Sequence, residues 1–197
     1  MYINEFPKII DQALCQKLID FRNDKKPDSF GDLSWWDDQA ESEDFLLKAK
    51  EVNEFIRPCI SKYLESFGGH LSPIDIHLKG FGLIRQPIGA HDSIHFDTDI
   101  IFNEDNIKVR PFVCILYLND KEFSGGQLIF PVQKEVIEPE LGKIVIFPAS
   151  YMFPHQVAPI ALGERYYMRL NYMFSESLFD KDKDEFDIEK EGAQIFL

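Results

Sequence analysis

From about Leu78 to Phe174 the chain is a succession of short β-type runs broken by turns, and this limits it to a sandwich, barrel or jelly roll. The runs lie at 79–86, 93–97, 111–119, 126–130, 143–148 and 164–174. The last is the most informative. Alternate residues on a strand face opposite ways, so Arg165, Tyr167, Arg169 and Asn171 share one side and Tyr166, Met168, Leu170, Tyr172 and Phe174 the other. The second set is an apolar face for helices to cover. The first is polar enough to line a cavity. In the run at 111–119, Val113, Ile115 and Tyr117 likewise oppose Phe112, Cys114 and Leu116.

The segment before these runs supplies the covering layer. Residues 1–10 form a lead-in or a short strand, and Asp11 caps a helix reaching about Phe21, with Leu14, Leu18 and Phe21 on one stripe. Residues 22–41, with Pro27 and Gly31, are expected to be a loop; its Trp35 and Trp36 either pin it to the core or form a substrate wall. Ser42 caps a second helix whose stripe runs Phe45, Ala49, Val52, Ile56, Cys59, Tyr63 and Phe67. Pro58 is expected to kink or split it, and Gly68-Gly69 to end it. The expected organisation is a helical support region over 1–77, a β core over 78–175 and an acidic extension over 176–197, all in one structural domain.

Charge and cysteine usage exclude some classes. With 21 basic and 34 acidic residues the net charge is −13, which argues against nucleic-acid binding. Cys15, Cys59 and Cys114 are odd in number and sit in apolar contexts, as buried thiols in a reducing compartment do. No signal peptide or membrane-spanning stretch is present, so a cytoplasmic protein, monomeric or weakly dimeric, is expected.

The chemistry concentrates in His95-Phe96-Asp97 and a distant His155. On a strand, residues two apart point the same way, so His95 and Asp97 can reach one ion, with His155 arriving from another strand. Two imidazoles and a carboxylate occupy one face of a non-haem iron(II) centre and leave other positions open. The expected co-substrate is 2-oxoglutarate, with O₂ at the remaining position.

Around this triad stand ILYLND at 115–120, GGQLIFP at 125–131, GKIVIF at 142–147 and HQVAPIALGER at 155–165. In that order, the run from Gly82 to Phe174 resembles the catalytic core of the prolyl 4-hydroxylase family of iron(II)/2-oxoglutarate-dependent oxygenases. The resemblance implies a mainly β fold with supporting α-helices: a double-stranded β-helix, jelly-roll and cupin-like, with N-terminal helices packed on one sheet. It implies that His95, Asp97 and His155 bind iron, that Arg165 grips the distal carboxylate of 2-oxoglutarate, and that Tyr117 assists there. Leu128 would pack on the co-substrate's methylenes. Gln86 stands where many members carry a tyrosine facing the co-substrate. Arg169 stands where the family often has a small residue, and Asn171 near a position often held by tryptophan.

The implied activity is hydroxylation of a prolyl residue in a peptide or protein, with 2-oxoglutarate converted to succinate and CO₂ and with ascorbate as an accessory reductant. Arg110, Arg169, Trp35, Trp36 and a loop at 98–110 would meet that substrate. The acidic surface suits a lysine-bearing proline motif. Two other readings stay open: hydroxylation of a different side chain or a small metabolite, and a catalytically silent binding or sensor module of the same fold.

Overall fold

The computed structural model describes residues 2–24, 33–36, 43–67, 76–97, 100–103 and 106–174. Its main sheet has six strands in the order β1 (Asn4–Phe6), β11 (Ile144–Pro148), β7 (Phe112–Tyr117), β14 (Arg165–Phe174), β3 (Ile76–Gln86) and β2 (Leu33–Trp36). A smaller sheet orders β10 (Glu135–Ile137), β9 (Leu128–Phe130), β12 (His155–Val157) and β4 (Asp92–His95). Among the described residues two further two-stranded sheets pair β5 (Ile100–Asn103) with β6 (Asn106–Val109) and β8 (Ser124–Gly125) with β13 (Ile160–Leu162). Neighbouring strands in both main sheets pair antiparallel. The result is mainly β, with two helices, in the jelly-roll arrangement.

Two buried clusters account for the layers. One packs Cys15 and Leu18 of helix α1 (Gln12–Asp24), and Ala49, Val52, Ile56, Cys59, Ile60 and Tyr63 of α2 (Glu43–Glu65), against Phe81, Leu83, Cys114, Leu116, Ile146, Met168 and Leu170 of the large sheet. The other joins the opposite face of that sheet, through Ile84, Val113, Tyr117, Val145, Phe147 and Tyr167, to Leu128, Phe130, Ile137 and Val157 of the small one. The alternation along β14 therefore divides a helix-covered face from an inter-sheet face, each hydrophobic for a different reason. Each fully buried aliphatic side chain contributes roughly 1.5–3 kcal/mol by leaving water.

Local chemistry sets the helix ends. The Leu14 amide donates to Asp11 Oδ1 at 2.8 Å, satisfying one of the first-turn donors. α2 runs unbroken through Pro58, so the expected split does not occur. The proline removes a single backbone donor, and burial of Ile56, Cys59, Ile60 and Tyr63 on both sides of it holds the helix together. None of the described helices is long and apolar enough to cross a membrane. Ser42, Gly68 and Gly69, and the acidic extension over 176–197, lie outside the described residues.

Two expected loops contain strands. Leu33–Trp36 adds to the edge of the large sheet by pairing with Leu83 to Gly80, and Ile100–Asn103 pairs with Asn106–Val109 across the expected loop at 98–110. In the first case a run rich in turn-forming residues hides four that find a free sheet edge. In the second, the β-branched residues Ile100, Ile101, Ile107 and Val109 flank a turn. The N-terminal region thus supplies both edge strands of the main sheet, besides its helices.

Removing a side chain that joins β14 to the helices should be costly. Met168→Ala is expected to lower unfolding free energy by about 2–5 kcal/mol, whereas Asp11→Ala should cost about 1 kcal/mol. Urea denaturation followed by circular dichroism measures both, and equal effects would contradict this division of the core.

Candidate metal centre

β4 and β12 place the two histidines. They pair antiparallel with His95 directly opposite His155, and the register breaks between His155 and Val157. Directly opposed residues on one face of a pair are near neighbours, and the imidazole centroids stand 4.4 Å apart. Asp97 follows β4 and turns its carboxylate to both rings: Oδ2 lies 3.4 Å from His155 Nε2, and Oδ1 3.7 Å from His95 Nε2. One donor atom from each of the three falls within 4.8 Å of the others.

Backbone carbonyls orient the rings. His95 Nδ1 lies 2.7 Å from the Ser93 carbonyl oxygen and His155 Nδ1 3.1 Å from that of Phe153. With Nδ1 turned to a carbonyl, each ring presents its Nε2 to the shared point, where a metal would take the place of the Nε2 proton. Phe147 and Phe130 wall His155 at centroid distances of 4.8 and 5.5 Å, which fixes its ring. His155 is buried, while the His95 side chain keeps 41% of its surface open to solvent. A centre held here has a protected side and an open one.

Burial pushes the Asp97 carboxyl up, but the hydrogen bond from His155 and the charges of His155, Arg110 and His95 outweigh it. The group stays ionised below the ordinary carboxylate range. Two imidazole nitrogens and one ionised oxygen fit a divalent transition metal with open positions.

The second half of the site lies in the same inter-sheet space. Arg165 is 2% exposed, donates from a terminal guanidinium nitrogen to the Gly126 carbonyl at 2.6 Å, and has its guanidinium carbon 4.6 Å from the Tyr167 ring centroid and 5.9 Å from that of Tyr117. Gly126 has φ +72°, and a Cβ there would stand 2.6 Å from Ile160 Cδ1 and 3.1 Å from Arg165 Cδ. Glycine is required both by the backbone and by the approach of the arginine. Burial pushes the Tyr117 hydroxyl up to about 12 against the opposing charge of Arg165, so it remains a donor at neutral pH.

Arg165 Nε, the Tyr117 hydroxyl and Gln86 Oε1 are buried with no hydrogen-bond partner among the described residues. An unmet buried polar group costs about 1–3 kcal/mol. A guanidinium and a phenol with unmet donors fit a carboxylate, and buried Leu128 offers an apolar wall. Gln86 stands opposite Arg165 in the β14–β3 register, and its amide nitrogen donates to Asp92 at 3.3 Å.

The remaining expected residues distribute unevenly. Arg110 is buried and its charge acts on Asp97. Arg169 and Asn171 lie on the inter-sheet side of β14, opposite Gly82 and Gly80. Trp35 and Trp36 occupy β2 in register with Phe81 and Gly80, but their side chains lie outside the described part. Sequence reasoning missed the carbonyls of Ser93 and Phe153 and the walls Phe130 and Phe147. It also missed Asn119, whose amide accepts from the Tyr166 backbone and donates to the Glu164 carbonyl, pinning the start of β14. Only Asn119 left a signal, as a polar residue at the end of an apolar strand.

Residues 81–173 match the family model described as 2OG-Fe(II) oxygenase superfamily. No curated protein sequence matches the chain. Solved structures share the fold. A viral collagen prolyl hydroxylase from Paramecium Bursaria Chlorella virus-1, in its 2OG complex, aligns with TM-score 0.66 at 18% identity, covering 88% of this chain and 96% of its own. A Pseudomonas putida prolyl-4-hydroxylase aligns with TM-score 0.59 at 21% identity, covering 89% and 92%. A prolyl 4-hydroxylase from Phytophthora capsici gives 0.61 at 16%, covering 88% and 59%.

Two substitutions separate the halves of the site. Asp97→Ala should weaken Mn(II) binding at least tenfold by calorimetry. Tyr117→Phe removes an unmet hydroxyl, so the ligand-free protein should be no less stable, while affinity for 2-oxoglutarate in the Mn(II) protein falls severalfold. A large loss of stability in Tyr117→Phe would show that the hydroxyl is bonded within the fold.

Proposed function

We propose that the chain is an iron(II)- and 2-oxoglutarate-dependent dioxygenase that hydroxylates a prolyl residue of a peptide or protein. The dioxygenase class is supported by the match of residues 81–173 to the 2OG-Fe(II) oxygenase superfamily. The prolyl substrate is supported by the solved neighbours, which are prolyl hydroxylases sharing its fold. The observation that carries the reading is the convergence of His95, Asp97 and His155 within 4.8 Å, in the same inter-sheet space as the unmet polar atoms of Arg165 and Tyr117.

In this reading His95, Asp97 and His155 hold Fe(II) through two Nε2 atoms and one carboxylate oxygen. Arg165 and Tyr117 receive the distal carboxylate of 2-oxoglutarate, Leu128 covers its methylenes, and Gln86 contributes an amide at the edge. The bound iron and 2-oxoglutarate supply oxygen activation: O₂, 2-oxoglutarate and a C–H bond give succinate, CO₂ and the C–OH product. The chain's own residues do the positioning. Burial of His155 behind Phe130 and Phe147 excludes water from one side of the centre, and the exposed side at His95 admits substrate. Arg110, Trp35 and Trp36 are the proposed lining of the peptide path.

The test is mass spectrometry of proline-containing peptides, some lysine-rich, incubated with protein, Fe(II), 2-oxoglutarate, ascorbate and air. A gain of one oxygen on proline is expected, lost in His155→Ala together with succinate production. Succinate without peptide oxidation would keep the oxygenase and remove the peptidyl substrate. Absence of both in iron-loaded protein would favour the silent-module reading.

A further inference from the structure

The inter-sheet face of the large sheet is built in rows set by strand register. The first row holds Gln86 and Arg165; the next Ile84, Tyr167 and Tyr117; the third Gly82, Arg169, Ile115 and Val145; the fourth Gly80, Asn171, Val113 and Phe147. The first two rows are the proposed co-substrate end. The fourth is the row of Phe147, whose ring lies 4.8 Å from that of His155. Arg169 and Asn171 thus lie toward the metal end of the cavity floor, past Arg165 and Tyr117, the residues that would hold the distal carboxylate of 2-oxoglutarate.

These two are physically out of place. Asn171 is 2% exposed and its Oδ1 is buried with no partner among the described residues. Arg169 is partly buried, its Nε is buried without a partner, and no described carboxylate pairs with it. Their neighbours on β7 are Ile115 and Val113, whose side chains offer no hydrogen bond, and on β3 they are Gly82 and Gly80, which bring no side chain to meet them. A guanidinium nitrogen and an amide oxygen, both buried and unmet among the described residues on one strand face, suit a polar ligand.

The distal carboxylate of the co-substrate does not account for it. Arg169 is four residues from Arg165 on one strand, about 13 Å along the chain. One carboxylate of 2-oxoglutarate is assigned to Arg165, and its keto-acid end belongs to the metal. That leaves the metal-bound carboxylate's second oxygen as the one co-substrate group within Arg169's rows, and retained 2-oxoglutarate affinity in Arg169→Gln separates that role from a substrate contact.

We infer that Arg169 and Asn171 anchor the substrate that is hydroxylated, and that this substrate bears a free carboxylate close to its reacting carbon. Arg169 takes the carboxylate in a charge-assisted contact; Asn171 Oδ1 accepts from the ring ammonium of a free imino acid, a hydrogen that a chain-terminal prolyl nitrogen lacks. This rests on the oxygenase reading above and revises its substrate: a free imino acid, or the C-terminal residue of a peptide, in place of an internal proline. Both sources present the same group, a carboxylate next to a ring carbon.

The experiment uses the full chain with four compounds: L-proline, L-prolinamide, a short peptide ending in proline as free acid, and the same peptide amidated. Binding is read by saturation-transfer NMR on the Mn(II)/2-oxoglutarate complex, and turnover by mass gain with Fe(II). At least one free acid should bind and be hydroxylated, with its amide at least tenfold weaker. The two acids distinguish the free from the chain-terminal source. Arg169→Gln should raise the KM for the acid at least tenfold, narrow the acid–amide gap, and retain 2-oxoglutarate affinity in the Mn(II) protein. Arg169→Lys should restore part of the acid preference. Equal handling of acid and amide, binding of neither acid, or loss of 2-oxoglutarate affinity in Arg169→Gln would each overturn the assignment. Succinate release by the wild-type protein without prime substrate tests the oxygenase reading separately.

Discussion

Everything in this structure depends on β14 being hydrogen-bonded on both edges while burying both faces. β3 pairs with it from Arg165 to Phe174 and β7 from Tyr167 to Asn171, so its central residues have strand neighbours on both edges. Its side chains then divide by parity. Met168 and Leu170 anchor the helices, while Arg165, Tyr167, Arg169 and Asn171 form a polar floor inside the sandwich. A slip of one residue would put guanidiniums under the helices and methionine into the cavity. The apolar packing against α1 and α2 therefore also sets the register of the site.

The metal corner uses a different device. It sits where the small sheet loses its regularity, at the register break after His155 and at the end of β4. A regular ladder would place His95 and His155 side by side but would carry Asp97 onward along its own strand. Ending β4 at His95 lets the carboxylate turn back to both Nε2 atoms. The rings are then held from behind by carbonyls two residues upstream, a short-range contact that needs no further side chain.

Much of this was legible in the chain. The face division of β14 and β7 follows from period-two alternation, and the helix stripes from their three- and four-residue spacing. The three residues were legible because few residue types ligate iron, but the shared strand face was not the reason realised: β4 ends at His95 and Asp97 lies beyond it. Less legible were β2 and the β5–β6 hairpin, since both were read as loops: Leu33–Trp36 pairs only because β3 offers an edge. The continuity of α2 through Pro58 was also hidden, because propensity alone argues for a break and tertiary burial overrides it.

What the sequence alone determined is the set of chemical groups and their parity: two imidazoles and a carboxylate, an arginine and a tyrosine, and on which side of each strand those within strands fall. These are local properties, set by residue type and by alternation along one strand. Only the tertiary structure decided which of those groups lack partners. That Arg165 Nε, the Tyr117 hydroxyl and Asn171 Oδ1 are buried and unmet among the described residues, and that glycines stand opposite Arg169 and Asn171, depends on strand register between segments far apart in the chain. Hydrogen-bond satisfaction is a relation between neighbours in space, and no single strand's pattern contains it.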